Sequence, residues 1–277
     1  MFYSTVLRGK GLMTMVKNWL RMATAAVCFV ICAYISAGVQ AAEKRDTLYQ
    51  VSTISALLSG MYDQVITVDE LIKYGDFGIG TFAGLDGEMV VLDGKVYKVA
   101  GTGAVTAVAA DEGVPFAVIT YFDADSQLPV ENIASLEQLY KTLPFQLSNR
   151  NLFYAVRVDG EFTYVKTRSV PKQQKPYPPL TAVTPSQAVF ETSQVKGTLI
   201  GFWSPDFVKG LNVTGFHLHF ISDDRMFGGH LLDCRIKTGI VKIDDTHEFH
   251  LALPVSKEFQ QVSLDKDWEA DIAKVEK

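Results

Sequence analysis

The sequence is poor in cysteine, poor in histidine and, over its first 42 residues, devoid of acidic side chains. Each shortage excludes something. Three cysteines occur in 277 residues, and Cys28 and Cys32 lie inside an apolar amino-terminal run. Once that run is removed Cys234 is the only thiol, so an intramolecular disulfide is excluded and stability must come from a hydrophobic core. Before Glu43 the charged residues are Arg8, Lys10, Lys17 and Arg21 alone. The whole chain carries a formal net charge of −5, so the part beyond these four cations carries −9. A body this acidic lacks the clustered Lys and Arg that grip phosphate backbones, which argues against a nucleic-acid partner. Apolar side chains, by contrast, are plentiful: at 48% hydrophobic the composition is globular, and disordered or collagen-like chains are excluded.

No residue from Met22 to Ala42 is charged, and the run from Ala25 to Ile35 follows a basic stretch that ends at Arg21. That is the layout of a secretory signal peptide, with Val39 and Ala41 placed as the small residues before a cut at Ala42. Residues 1–41 are therefore expected to be a signal peptide, and the mature protein to be exported to the periplasm or medium. The alternative is a retained membrane anchor, because about 20 uncharged residues can span a bilayer. Ser36, Gly38 and Gln40 weaken its second half.

Beyond this segment the pattern favours an α+β fold, with a helix followed by glycine-punctuated strands on both sides of residues 171–185 but no residue-level repeat between them. Thr67 with Glu70 forms a capping box that opens a helix, and Gly75 supplies its stop. Glu88–Leu92 and Lys95–Val99 flank Asp93-Gly94, a strong hairpin signal. Ala117–Tyr121 reads as a strand, Ser135–Thr142 as a helix ended by Pro144, and 152–158 with 162–165 as a further strand pair. Residues 171–185 hold five of the ten prolines and read as a linker between an N-terminal domain (42–170) and a C-terminal metal-binding domain (186–277). After the linker Thr184-Pro185 is expected to open a helix, followed by strands at 198–203, 214–221, 230–236 and 248–253.

Three of the five histidines fall within Gly215–His230. His217 and His219 alternate with Phe216, Leu218 and Phe220, so on a strand both rings face one side. If the chain turns back through Gly228-Gly229, His230 begins the returning strand beside His219. Three imidazoles with an open fourth position describe a catalytic zinc site better than a structural one, which is usually closed and rich in cysteine. A His-x-His pair by itself is equally an ordinary hydrogen-bonded pair; the third histidine at hairpin spacing favours the metal. His247 and His250 lack such a partner set and read as structural. On pattern alone Glu88 is a solvated strand end and Arg168 a surface cation, since nothing in spacing links either to the histidines.

Gly-Asp-Phe-Gly-Ile-Gly-Thr-Phe from Gly75, Leu-Asp-Gly-Glu-Met from Leu85 and the histidine hairpin, in that order, resemble the α-acetolactate decarboxylase family. The likeness runs from about Leu48 to the C-terminus. It implies zinc held by His217, His219 and His230, catalytic roles for Glu88, Arg168 and Glu276, and substrate contacts from Thr81 and Arg168. Glu276 is matched by position more than by motif. The resemblance further implies two related mixed α/β halves with the zinc site in the C-terminal one, a homodimer, and the conversion of 2-acetolactate to acetoin and carbon dioxide. Zinc polarising the substrate would replace the organic electron sink of other decarboxylases. A competing resemblance, confined to the second half, is to the plant and prokaryote conserved domain, which would make the chain a non-catalytic metal-binding module. The Arg-Gly-Arg-Pro hook of that class is missing.

Overall fold

The structure, a computed structural model, describes residues 46–143, 147 and 149–276. The expected signal segment 1–41 and the helix stop at Pro144 lie outside the described residues. In chain order the elements are β1 (Thr47–Val51), α1 (Ile54–Leu58), β2 (Ile66–Thr67), α2 (Val68–Leu71), β3 (Phe77–Thr81), β4 (Glu88–Leu92), β5 (Lys95–Val99) and β6 (Val105–Ala107). They continue with β7 (Gly113–Val114), β8 (Phe116–Thr120), β9 (Ser126–Ile133), α3 (Leu136–Thr142), β10 (Phe153–Ser169), α4 (Leu180–Val183) and β11 (Ala188–Ser204). The last are β12 (Gly215–Ser222), β13 (Gly228–Thr246), β14 (Glu248–Ala252), α5 (Lys257–Gln261) and α6 (Glu269–Glu276). The class is mixed α+β and mostly sheet.

Seven strands form one sheet in the order β14-β1-β8-β3-β4-β5-β6, and five form a second in the order β10-β11-β12-β13-β9. In the second sheet β10 also pairs with β13, so β10 to β13 close on themselves. Strand parity sorts the side chains into layers. On β4, Val90 and Leu92 enter the same apolar cluster as Phe153, Phe202 and Ile221 of the second sheet, while Met89 and Val91 face the opposite side. On β12, Phe216, Leu218 and Phe220 fill a separate cluster within the second sheet together with Tyr154, Phe162 and Leu199. The other faces of β4 and β12 thus meet across one core, and Glu88 shares parity with Val90.

Several local readings hold. Thr67 accepts from the Glu70 N–H while the Glu70 carboxylate takes the Thr67 N–H, completing the capping box. The Glu88 hairpin pairs Leu92 with Lys95 around Asp93-Gly94. Ser135 caps α3 through the Gln138 N–H.

Other readings do not. Residues 152–158 and 162–165 are not a hairpin but parts of β10, which runs unbroken alongside β11. Asp159-Gly160-Glu161 looks like a turn in sequence, yet Gly160 lies opposite both Gly197 and Gly239. A Cβ on Gly160 would stand 2.5 Å from the Thr238 carbonyl, so this glycine permits close strand approach. Asp159 is held in the ladder by Arg157 Nε at 2.9 Å and Lys242 Nζ at 3.0 Å. Thr184-Pro185 opens only a single 3-10 turn, Thr184–Ser186, because Ala188 onward is committed to pairing with β10.

The proline-rich stretch does not separate two sheets. β9 and β10 precede it yet lie in the sheet of the histidine strands, and β14 follows it yet joins the first sheet by pairing parallel with β1. The described residues form one compact unit. Domain boundaries drawn at 171–185 therefore do not coincide with the sheets, since strand partners here are chosen across the linker.

Candidate metal centre and active site

β12 and β13 bring the three histidines together as their spacing predicts. His219 and His230 are directly opposite in the antiparallel ladder, and His217 lies on the same face two residues back. All three are buried. One ring nitrogen from each falls in a group whose members lie within 4.8 Å of one another. His217 Nε2 and His230 Nδ1 are 3.2 Å apart, close to the roughly 3.3 Å expected of two nitrogens each about 2.0 Å from a tetrahedral zinc. His219 Nδ1 donates to the Met89 carbonyl at 2.8 Å, which fixes its tautomer and leaves Nε2 as the acceptor. That Nε2 is buried without a hydrogen-bond partner. A buried, unpartnered imidazole nitrogen beside two converging ones is a donor set that fits a divalent metal.

Burial acts in the same direction. It pushes the His217 imidazole down to about 3, helped by the Arg168 charge, and holds His219 and His230 well below the ordinary range. The rings are thus neutral, as metal ligation requires.

Gly229, at φ +129°, makes this approach possible: a Cβ there would stand 2.5 Å from the Arg168 carbonyl. Arg168 pairs with His230 across β10 and β13, so the same close contact sets the guanidinium beside the histidines. Its Nη1 is 3.1 Å from Glu88 Oε1, and its Nη2 donates to the Val275 carbonyl at 2.7 Å and lies 3.6 Å from Glu276 Oε2. Arg168 is 4% exposed and Glu88 6%, so the surface readings of both are replaced by a buried ion pair.

Glu88 arrives from the opposite sheet. Its Oε2 lies 3.7 Å from His219 Nε2. Thr81 pairs with Glu88 at the end of β3 and β4, and its hydroxyl donates to the Gly87 carbonyl at 2.7 Å. The Thr81 proton is therefore spent on holding the bend before Glu88, although the residue also lines the cavity. Gly87 sits at φ +83°, and a Cβ there would meet the Val99 carbonyl at 2.3 Å.

Glu276 is placed by α6, whose Ile272 and Val275 enter the main core with Trp268. Its Oε2 lies 3.3 Å from His217 Nε2 and 3.7 Å from His230 Nδ1, and it has no hydrogen-bond partner. Desolvation raises Glu88 to about 7 against the pull of Arg168, with Glu276 adding a smaller push. Desolvation likewise raises Glu276 to about 7, opposed by Arg168. Burial thus favours the protonated form of two carboxyl groups beside the three imidazoles.

Ile54, Leu57, Phe116 and Leu180 wall the same cavity. The sequence reading missed this wall, α1 included, although Thr53 before Ile-Ser-Ala-Leu-Leu carries an N-cap signal. Met89 and Val275 were also missed, because they act through carbonyls that sequence does not mark. His247 and His250 stand apart, exposed, with His250 stacked on Tyr49 at 5.0 Å.

A family model described as alpha-acetolactate decarboxylase matches residues 48–266. The chain belongs to that family. It is 50% identical to the alpha-acetolactate decarboxylase of Methanosarcina mazei over 84% of this chain and 81% of that one. It is 40% identical to that of Raoultella terrigena over 83% and 89% of the two chains. The crystal structure of alpha-acetolactate decarboxylase from Bacillus subtilis superposes with a TM-score of 0.81 at 39% identity, covering 83% of this chain and 99% of that one. The likeness to the acetolactate decarboxylases spans both sides of the proline-rich stretch, and so includes Glu88 and Arg168 as well as the histidine hairpin.

Proposed function

We propose that the protein is a zinc-dependent carboxy-lyase that converts 2-acetolactate to acetoin and carbon dioxide. The observation that carries this reading is the convergence, in one buried cavity, of three neutral imidazoles, a guanidinium and two carboxyl groups raised toward neutrality. A divalent cation held by His217, His219 and His230 would supply positive charge to stabilise the electron pair that carbon dioxide leaves behind on the substrate, in place of an organic cofactor.

The chain's own residues do the rest. Arg168, buried and fixed by the Val275 carbonyl, attracts and orients the anionic substrate. When carbon dioxide leaves, its bonding pair passes into the neighbouring ketone, and one proton must be added to the carbon that lost it. Glu88 is the acid for that step: its carboxyl group reaches the histidine face, with Oε2 3.7 Å from His219 Nε2, and burial favours its protonated form. Glu276, beside His217, holds the second proton site at the opposite end of Arg168. Thr81 keeps Glu88 in place through Gly87. The apolar wall leaves little space for water, and Glu88 presents its proton from the side of the first sheet, on one face of the substrate.

The reading as a non-catalytic module of the second half leaves Glu88, Arg168 and the match from residue 48 unused. Incubating purified protein with 2-acetolactate, with and without a chelator, tests the proposal. Acetoin that disappears on chelation and returns with zinc supports it, and absence of acetoin from the zinc-loaded protein overturns it.

We further propose that the protein is exported and that it is a homodimer. Export rests on the basic stretch, apolar run and small residues before Ala42, and N-terminal sequencing of the fractionated protein tests it against anchoring. Among the described residues no helix is long and apolar enough to cross a membrane. A homodimer is implied by the family resemblance, and light scattering of the purified protein tests it.

A further inference from the structure

Little space remains beside the histidines: the cavity they share with Glu88 and Glu276 measures about 30 Å³, room for a few water molecules. A second cavity of about 410 Å³ lies next to it, and Glu276 lines both. The larger space is built by α3, by the ends of β11 and β12 and by β13. Its aromatic side is a packed set: Tyr140 stacks on Phe216 with ring centres 5.1 Å apart, and Trp203 meets Phe216 edge to face at 4.8 Å.

Arg150 stands over the Trp203 ring at 5.1 Å, and the Trp203 indole N–H donates to the Arg150 carbonyl at 3.5 Å. Its guanidinium makes no ion pair with a described carboxylate. Stacking on an indole holds a guanidinium in position while leaving its edge donors free for a planar anion. The cavity therefore combines room, a rigid aromatic floor and a cation, with a wall that is also a wall of the metal site.

The geometry points to this cavity as an outer subsite for a small carboxylate, where Arg150 captures the substrate before it passes Glu276 to reach the histidines. Acetolactate fits the chemistry, with a carboxylate for Arg150 and methyl groups for Trp203 and Phe216. This assignment of the substrate rests on the proposed decarboxylase activity, whereas the subsite itself rests on the cavity. Arg150 touches the substrate only outside the reacting centre, so it acts on capture rather than on bond breaking.

Steady-state kinetics of the zinc-loaded full chain test this with R150A, R150K and R150E. The expected result for R150A at low ionic strength is a KM raised about three- to tenfold, as loss of one partly exposed charge contact predicts. The kcat and zinc content should stay unchanged. R150K should recover most of the KM and R150E should raise it further, and added salt should narrow the gap between wild type and R150A. An unchanged KM in R150A, or a fall in kcat together with zinc loss, overturns the subsite.

A binding measurement separates this from the activity. The holoenzyme is titrated with 2,3-dihydroxy-2-methylbutanoate, which lacks the ketone needed for decarboxylation, while tryptophan emission is followed. A saturable change that is lost in W203F and weakened in R150A supports the subsite even if no acetoin forms. No response in wild type, or one indifferent to both substitutions, contradicts it.

Discussion

The two walls of the site are built in opposite ways. The imidazole wall is local: one turn between β12 and β13 brings His230 opposite His219, and strand parity adds His217. The carboxylate wall is assembled at long range, with Glu88 and Arg168 80 residues apart in sequence and Glu276 delivered by a separate helix. The local wall needs only a correct hairpin, whereas the long-range wall needs both sheets and α6 docked together. Metal binding and turnover are therefore expected to be separable by substitution.

Substitutions on each wall sharpen that contrast. The largest expected effect is that of His219→Ala, which removes both a ligand and the contact with Met89. Metal content by elemental analysis should fall to a small fraction of wild type, and acetoin formation to background. Glu88→Gln should act on the other wall alone, because glutamine keeps the size and hydrogen-bonding capacity but cannot donate an acidic proton. Metal content should be retained while turnover falls about 10²- to 10⁴-fold, the usual range for losing a general acid. If metal and turnover fell together in Glu88→Gln, the two walls would not be separable.

Glu276→Gln should give a smaller loss, about tenfold to a hundredfold in turnover, because Glu88 still supplies an acid. Truncation before Ile272 is a harsher change. It removes Ile272 and Val275 from the main core as well as the carboxyl group, so its melting temperature should drop where that of Glu276→Gln does not.

A third acid shows that burial alone does not make a site. Asp244 is pushed up to about 8 by burial, with Asp125, Asp46 and Asp123 adding, and it accepts the Asp123 N–H at 3.2 Å. Its surroundings are further carboxylates, where Glu88 and Glu276 have a guanidinium and neutral imidazoles. The folded protein holds this proton to a higher pH than the unfolded chain does. The contribution of this group to stability is therefore fully present below the unfolded value of 3.8 and is lost as pH rises to about 8. Asp244→Asn keeps a carbonyl acceptor and removes the charge. It should raise the melting temperature by a few degrees at pH 8 and by less at pH 5, with acetoin formation unchanged.

The same contrast explains what could be read from sequence. The histidine hairpin was legible because period-two alternation and a Gly-Gly turn encode it within one short segment. Glu88 and Arg168 look like surface charges in their own strands, and only the family resemblance marked them, because their partnership depends on two sheets packing face to face. The capping box at Thr67 and the turn at Asp93-Gly94 were legible for the same local reason. Gly160 misled because a glycine that lets three strands crowd together carries the same letter as one that makes a turn. The linker at 171–185 was legible as an irregular segment only as far as Pro179, since Leu180–Val183 is a helical turn that buries Leu180 and Val183 in the main core, and its place within one unit was not legible because strand exchange between sheets leaves no local signature.

The central claim is that the three imidazoles hold one metal ion while Glu88, Arg168 and Glu276 stand around it without being needed to retain it. Anomalous diffraction at the zinc edge from crystals of Glu88→Gln tests this most directly. The account predicts one peak per chain, bonded to His217, His219 and His230, in a protein that forms almost no acetoin. A missing peak, or one bonded elsewhere while the variant remains folded, would contradict it.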